Sequence, residues 1–127
     1  MVFCLSLMIT VKGIDMASYK IIQIVASQST PDREEEFNRW YTDVHVPMFF
    51  GFDGLKQAAR YRCIGDPGNN AKYLAVYEFE DEEALAAFPK SEAFSDAVKD
   101  FEGRKEAVGF EMKWAASYEL IKSWSRE

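Results

Sequence analysis

His45 is the residue of this chain best suited to proton transfer, because it is the only histidine and an imidazole titrates near neutral pH. It lies eight positions after Phe37, at the margin of an apolar helical stripe, so its ring is expected to point toward the interior. There it could serve as a general acid or base. The alternative is a buried neutral histidine that fastens the end of a helix through one hydrogen bond.

Five aromatic residues are candidates for binding a ligand near His45: Trp40, Tyr41, Tyr61, Tyr77 and Trp114. A buried tyrosine needs a hydrogen-bond partner for its hydroxyl, and a ligand carbonyl or phenol can supply one. The alternative for each ring is a place in the hydrophobic core, where aromatic residues at helical or strand spacing usually pack.

Arg60 and Arg62 fall on one face of a predicted strand, together with Ala58 and Ile64. If that face lies in the interior of a dimer, an arginine there needs a negative partner, such as Glu78 across a hairpin or an acidic ligand. The alternative is an edge strand that its charges protect from pairing with other chains.

Composition argues against several classes of function. A net charge of −6 is unsuited to nucleic acid, which requires clustered Lys and Arg. One histidine and two distant cysteines, Cys4 and Cys63, cannot form the usual zinc site, so no metal and no other cofactor is predicted. Haem is the alternative, with His45 as its axial ligand. Two free thiols predict a cytoplasmic protein, and a single disulfide between them is the alternative.

The helix that carries His45 is predicted from its start and stop signals. Thr30 is the expected N-cap and Pro31 the first helical residue. The apolar stripe follows at helical spacing and consists of Phe37, Trp40, Tyr41 and Val44. Pro47 is predicted to end the helix near His45, because the residue before a proline avoids the helical backbone conformation.

Four strands and a second long helix complete the predicted domain. The strands are residues 19–27, 55–64, 71–79 and 114–121. Turn-forming residues at 65–70 join the middle two strands into a hairpin. A short helix follows Asp81, and Ser91 is the expected cap of the second long helix. The order β-α-β-β-α-β predicts an α+β, ferredoxin-like fold: a four-stranded antiparallel sheet with two main helices on one face.

Apolar residues on both faces of the predicted strands indicate a partner. Two helices can cover only one face of the sheet, yet Leu74 and Val76 alternate with Tyr73 and Tyr77. An uncovered apolar face of that size is unusual for a monomer. We therefore predict a homodimer that forms through the sheet faces.

The segment from Phe37 to Pro47 has the spacing F-x-x-W-Y-x-x-x-H-x-P. It resembles the end of the first helix in EthD-like members of the dimeric α/β-barrel superfamily. Residues 73–81 are similar to the third strand and the following acidic turn of those proteins, and residues 91–101 occupy the place of their second helix. The resemblance covers about residue 19 to the C-terminus.

The resemblance implies a small-molecule pocket between the sheet and the helices. EthD-like proteins are associated with bacterial degradation of ether fuel additives, and their relatives include cofactor-free monooxygenases, polyketide cyclases, muconolactone isomerases and haem enzymes. We therefore predict a catabolic protein that binds or transforms a small apolar or aromatic compound without a cofactor, with His45 as the catalytic residue. The alternatives are a non-catalytic accessory or sensor module and a haem-dependent monooxygenase.

Residues 1–16 are predicted to be a leader or non-native extension, and residues 17–127 a single domain. Residues 2–11 are apolar, but they lack the basic start and cleavage site of a signal peptide and are too short to span a bilayer. We predict Met16 as the natural start. Deleting residues 1–15 is then expected to leave folding and dimerisation unchanged, and the alternative is an extra edge strand.

Overall fold

A four-stranded antiparallel sheet forms the centre of the computed structural model, which describes residues 20–126. The strands are β1 (Ile21–Ser29), β2 (Leu55–Arg62), β3 (Tyr73–Phe79) and β4 (Phe110–Glu119). Their order in the sheet is β2-β3-β1-β4. The predicted ferredoxin-like α+β arrangement is confirmed, whereas the predicted leader lies outside the described residues.

Three helical segments connect the strands. The first begins with a 3₁₀ turn (Pro31–Arg33), continues as α1 (Glu34–Trp40), passes through a π-helical turn (Tyr41–His45) and ends as α2 (Val46–Phe49). The second consists of α3 (Glu82–Ala87) and a 3₁₀ turn (Phe88–Lys90). The third is α4 (Glu92–Arg104). None of the helices in the described part of the chain is long and apolar enough to cross a membrane.

The prediction that the first helical segment ends before Pro47 is wrong, because the segment continues to Phe49. In an α-helix the proline ring clashes with the carbonyl four residues earlier. Here the backbone N–H of Val46 bonds the carbonyl of Tyr41, five residues back, in the π-helical turn. This wider turn accommodates the proline, and such turns recur at functional sites. It places Tyr41 and His45 in one turn of the backbone.

The core lies between the helices and one face of the sheet. In β3 the residues that face the helices are buried, namely Tyr73, Ala75, Tyr77 and Phe79. The alternate residues of β3, including Leu74 and Val76, point to the other face, because side chains alternate along a strand. No described element covers that second face, which we call the open face.

Arg60 lies on the helix-facing side of the sheet, because it pairs with Ala75 across β2 and β3. Glu78 pairs with Ile22 and belongs to the open face. The predicted partnership of Arg60 with Glu78 is therefore wrong, since the two side chains leave opposite sides of the sheet. β2 is an edge strand, as the alternative interpretation required.

β4 begins at Phe110, earlier than predicted, because Gly109 ends the turn after α4 with a φ of 65°. A β-bulge then interrupts its pairing with β1: Ala26 pairs with Trp114, but Ser27 pairs with Met112. The extra residue shifts the alternation. Met112 consequently reaches the helix side of the sheet, while Trp114 lies on the open face.

Side-chain caps begin two of the helices. The predicted Ser91 cap is confirmed: its Oγ accepts a hydrogen bond from the Phe94 N–H at 3.1 Å. The Asp81 carboxylate accepts one from the Ala84 N–H at 2.8 Å. Thr30, the other predicted cap, makes no side-chain cap bond within the described chain. Its backbone N–H instead donates to the carbonyl of Gly109 at 3.0 Å.

Replacing Ser91 with Ala is expected to lower the free energy of unfolding by about 1 kcal/mol, because the first turn of α4 loses its acceptor. Urea denaturation of the two proteins measures the difference. Ser95→Ala is the matched control, since Ser95 is exposed within the same helix. An equal loss in both variants would contradict the capping role.

Candidate functional site

A cavity of about 310 Å³ lies between the helices and the helix-facing side of β1, β3 and β4. Most of its wall is apolar and includes Phe49, Phe101, Phe110 and Met112. Its polar contributors are His45, Tyr41, Tyr77 and Gln23. We call this space the His45 cavity. A concave, mostly apolar site with a few polar groups is typical of small-molecule binding.

The imidazole of His45 is held by aromatic rings. It stacks on Trp40, with ring centres 4.5 Å apart and an interplanar angle of 26°. Tyr41 and Phe49 contact it edge-on, at 5.1 and 4.8 Å between centres. These contacts fix the plane of the ring, so the direction of its nitrogens is set before any ligand arrives.

His45 is a neutral histidine with an unused nitrogen. The pKa of its imidazole is lowered from 6.5 to about 4, mainly by burial; the negative charge of Asp100 opposes this shift and the positive charge of Arg60 adds to it. Its Nδ1 is buried and meets no hydrogen-bond partner in the described part of the chain. An unsatisfied buried nitrogen is costly, and the imidazole that carries it forms part of the cavity wall. The predicted fastening hydrogen bond is not made by Nδ1.

Trp40 supports His45 from behind rather than lining the cavity. Its indole Nε1 donates a hydrogen bond to the carboxylate of Asp100 on α4, at 2.7 Å. This bond joins the first helical segment to α4. Trp40 therefore positions the imidazole and is not among the residues that line the His45 cavity, and its role in ligand binding stays a prediction.

Tyr41 and Tyr77 form a hydroxyl pair in the cavity wall. Their hydroxyls are hydrogen-bonded to each other, and Ser27 also bonds Tyr41. Burial raises the pKa of both phenols, so both stay protonated at neutral pH. Because β3 places Tyr77 opposite the π-helical turn, the pair joins the sheet to the helix beside His45.

Arg60 lies next to this pair with its guanidinium half-buried. Its central carbon is 4.4 Å from the centre of the Tyr41 ring. Its Nη1 donates to Thr42 Oγ1 and its Nη2 to Asn38 Oδ1, both at 2.9 Å. Burial lowers the pKa of the guanidinium, and the surrounding tyrosines oppose that shift.

The structure brings together three of the residues predicted for the site, His45, Tyr41 and Tyr77, and separates the other rings from them. Tyr61 and Trp114 lie on the open face, 57% and 44% exposed. There they line a different groove with Cys63 and Leu74, of about 330 Å³, which we call the open-face groove. They cannot reach a ligand in the His45 cavity, because the sheet separates the two spaces.

Sequence reasoning did not identify Gln23, Phe49, Phe101 or Met112 as lining residues. Phe101 belongs to the apolar stripe of α4. That stripe is the feature of the sequence from which this cavity-lining residue could have been predicted. Gln23 interrupts the apolar run of β1 with a polar side chain on the helix side. Met112 could not be assigned, because its face depends on the bulge in β4.

Comparison with known families gives one match. The model of the family described as "Domain of unknown function (DUF4286)" matches residues 19–108. No curated protein matches the sequence of this chain.

Solved structures with the same fold include HapK from Hahella chejuensis, with a TM-score of 0.63 and 15% identity over 84% of this chain and 98% of that one. An ethyl tert-butyl ether d (EthD) family protein from Bacillus halodurans has a TM-score of 0.58 and 18% identity over 80% and 99%. SnoaB, a cofactor-independent oxygenase from Streptomyces nogalater, has a TM-score of 0.57 and 10% identity over 84% and 96%. At these identities the likeness shows the fold, and it confirms the predicted EthD-like architecture.

Proposed function

Because this chain belongs to the family described as a domain of unknown function (DUF4286) and has the EthD-like fold, we propose that it binds a small apolar or aromatic compound in the His45 cavity. We further propose that it transforms this compound in a catabolic reaction without a resident metal or flavin. The single observation that carries the proposal is the neutral imidazole of His45 in the wall of a mostly apolar cavity.

The proposed chemistry is proton transfer to or from the bound compound. A neutral imidazole can accept a proton from a ligand or hold a ligand hydroxyl by a hydrogen bond. The Tyr41–Tyr77 pair would orient a carbonyl or phenol of the same ligand. Lyase, isomerase and cofactor-independent oxygenase reactions all need these two functions, and SnoaB is a structural relative with activity of the last kind.

Two other functions are compatible with parts of the site. A non-catalytic carrier or sensor would use the same cavity and the same hydrogen bonds without turnover. A haem enzyme would use His45 as axial ligand, but such a histidine almost always donates its other ring N–H to an acceptor. Nδ1 of His45 meets no acceptor within residues 20–126. The donor set therefore does not fit haem, and an absorbance scan of the purified protein tests this directly.

We also propose that two copies pack through their open faces. The exposed rings of Tyr61, Trp114 and Tyr118 lie on that face together with the half-buried Ile24 and Val76. A two-fold partner would cover all of them at once. Ile121 and Trp124, 97% and 80% exposed beyond the end of β4, extend the apolar surface.

The proposed ligand site is tested with 4-nitroanisole, a neutral aromatic probe, and with native mass spectrometry of the purified protein to identify any bound compound. Ala115→Phe narrows the cavity at β4 and is expected to weaken binding of the probe by roughly tenfold or more. Ala86→Phe, on an exposed helix surface, is the control. Equal binding by both variants would place the ligand elsewhere, and no binding by the parent protein would refute the proposal.

A further inference from the structure

The half-buried guanidinium of Arg60 has no negative partner among residues 20–126. Its hydrogen-bond acceptors are the neutral side chains of Thr42 and Asn38. Its Nε is buried and unpartnered, and no carboxylate of the described chain forms an ion pair with it. A charge that is partly removed from water and lacks a counter-charge favours an anion nearby.

The ring of Tyr41 lies between this charge and the His45 cavity. The guanidinium lies over one face of its ring at 4.4 Å, and the same ring lines the cavity. The charge lowers the pKa of the Tyr41 and Tyr77 hydroxyls against the effect of burial, and that of His45 as well. Its field therefore acts on the three polar groups beside which a ligand would bind.

Two carboxylates of the neighbouring helices, Asp100 and Glu34, are already engaged by other groups. Asp100 is behind Trp40, where it accepts the indole N–H. Glu34 is engaged by Lys72 and by the hydroxyl of Tyr73. The cavity thus has a positive side at Tyr41 and a negative side beyond His45 and Trp40. A ligand with an ionised oxygen would be oriented by this difference.

We infer that the His45 cavity binds weakly acidic aromatic or enolic compounds in their ionised form, with the oxyanion at the Tyr41–Tyr77 pair and Arg60 as the compensating cation. This inference rests on the proposed function and specifies its ligand class. Arg60 acts as a positioning residue through Tyr41. The two hydroxyls of the pair carry two hydrogens, and a bond between them uses one, so the other can be donated to the ligand oxyanion.

A ligand that is neutral in solution releases its acidic proton to solvent on binding, so His45 stays free for a later proton transfer in the reaction. His45, with a pKa of about 4, stays neutral above pH 6, and both tyrosines stay protonated because burial raises their pKa values. Among the ligand, His45 and the two tyrosines, the ligand is therefore the group whose ionisation changes between pH 6 and 9. Affinity should rise as the free ligand ionises.

The test compares two probes of nearly the same shape, 4-nitrophenol and 4-nitroanisole, by titration calorimetry between pH 5.5 and 9. The anisole cannot ionise and reports the cavity alone. Ionised nitrophenol is expected to bind roughly tenfold or more tightly than the neutral form, since a hydrogen bond to the oxyanion and a nearby opposite charge both favour the ionised form. Affinity for the anisole should not change with pH.

Arg60→Met is expected to abolish this preference for the ionised form and to leave anisole binding within about twofold of the parent protein, because an apolar residue of similar length can replace a buried charge without loss of stability. Arg60→Lys keeps the charge and should retain part of the preference. Arg62→Met is the control, as it removes the same charge from an exposed position on the same strand. If the anisole binds, and the neutral and ionised forms of nitrophenol bind with equal affinity, the inference is overturned but the proposed function is not. Failure of both probes to bind would overturn the proposed function with it.

Discussion

Replacing His45 with Gln is expected to lower turnover of the bound compound by roughly 10²–10⁴-fold, the contribution of general acid–base catalysis. Gln keeps some hydrogen-bonding capacity but cannot transfer the proton. Affinity should change little in comparison. The loss of stacking on Trp40, at 4.5 Å between ring centres, should lower stability by about 0.5–1.5 kcal/mol. Turnover and melting temperature, measured on the same preparations, test the prediction.

His45→Phe is the matched variant, because it keeps a ring against Trp40 and removes both nitrogens. We expect it to be folded and inactive. If the protein is a carrier or sensor, the parent shows no turnover, and His45→Gln and His45→Phe lose binding affinity to the same extent. A variant that is destabilised but fully active would end the catalytic interpretation of His45.

The pH dependence of stability provides a second readout for His45. Its pKa is about 4 in the folded protein against 6.5 ordinarily, so the unfolded chain binds the proton first as pH falls. The stability associated with the neutral ring is present above pH 6.5 and is lost between pH 6.5 and 4. The full effect is roughly 3 kcal/mol. His45→Gln lacks this component, so its stability should fall less steeply than that of the parent over the same range.

Replacing Ile24 with Lys is expected to convert the proposed dimer into a monomer. Ile24 pairs with Val76 on one side and with Ala116 on the other, at the middle of the open face. Two-fold symmetry brings both copies of the lysine into the interface. Each unpaired buried charge costs several kcal/mol, which exceeds what an interface of about 1,000 Å² tolerates. Sedimentation equilibrium measures the mass against the 14.6 kDa of one chain.

Ala86→Lys is the control for this change, since it adds the same charge to an exposed surface of α3. It should remain dimeric. A far-UV circular dichroism spectrum unchanged in Ile24→Lys would show that only association is affected. A parent protein that is monomeric at micromolar concentration, or an Ile24→Lys variant that stays dimeric, would contradict packing through the open face.

The helical stripe of Phe37, Trp40 and Tyr41 was readable in the sequence, and the structure buries all three residues. The grouping of His45 with Tyr41 followed from their spacing on one helical segment. Ser91 as a cap was equally local, because a cap bond spans only three residues. The continuation of the segment past Pro47 was not predicted, since it depends on a π-helical turn that packing against the sheet and α4 stabilises.

The sequence by itself determined the elements, their order and the presence of apolar residues on both sides of the sheet, because these follow from local periodicity. Only the tertiary structure decided which face each residue occupies. The bulge beside Ser27 separates Met112 from Trp114, and the pairing of Arg60 with Ala75 turns the arginine toward Tyr41. Strand register is set by contacts between distant segments, and a one-residue shift exchanges the two faces. The unpaired charge of Arg60 and the neutral state of His45 arise in the same way, from burial that no local pattern specifies.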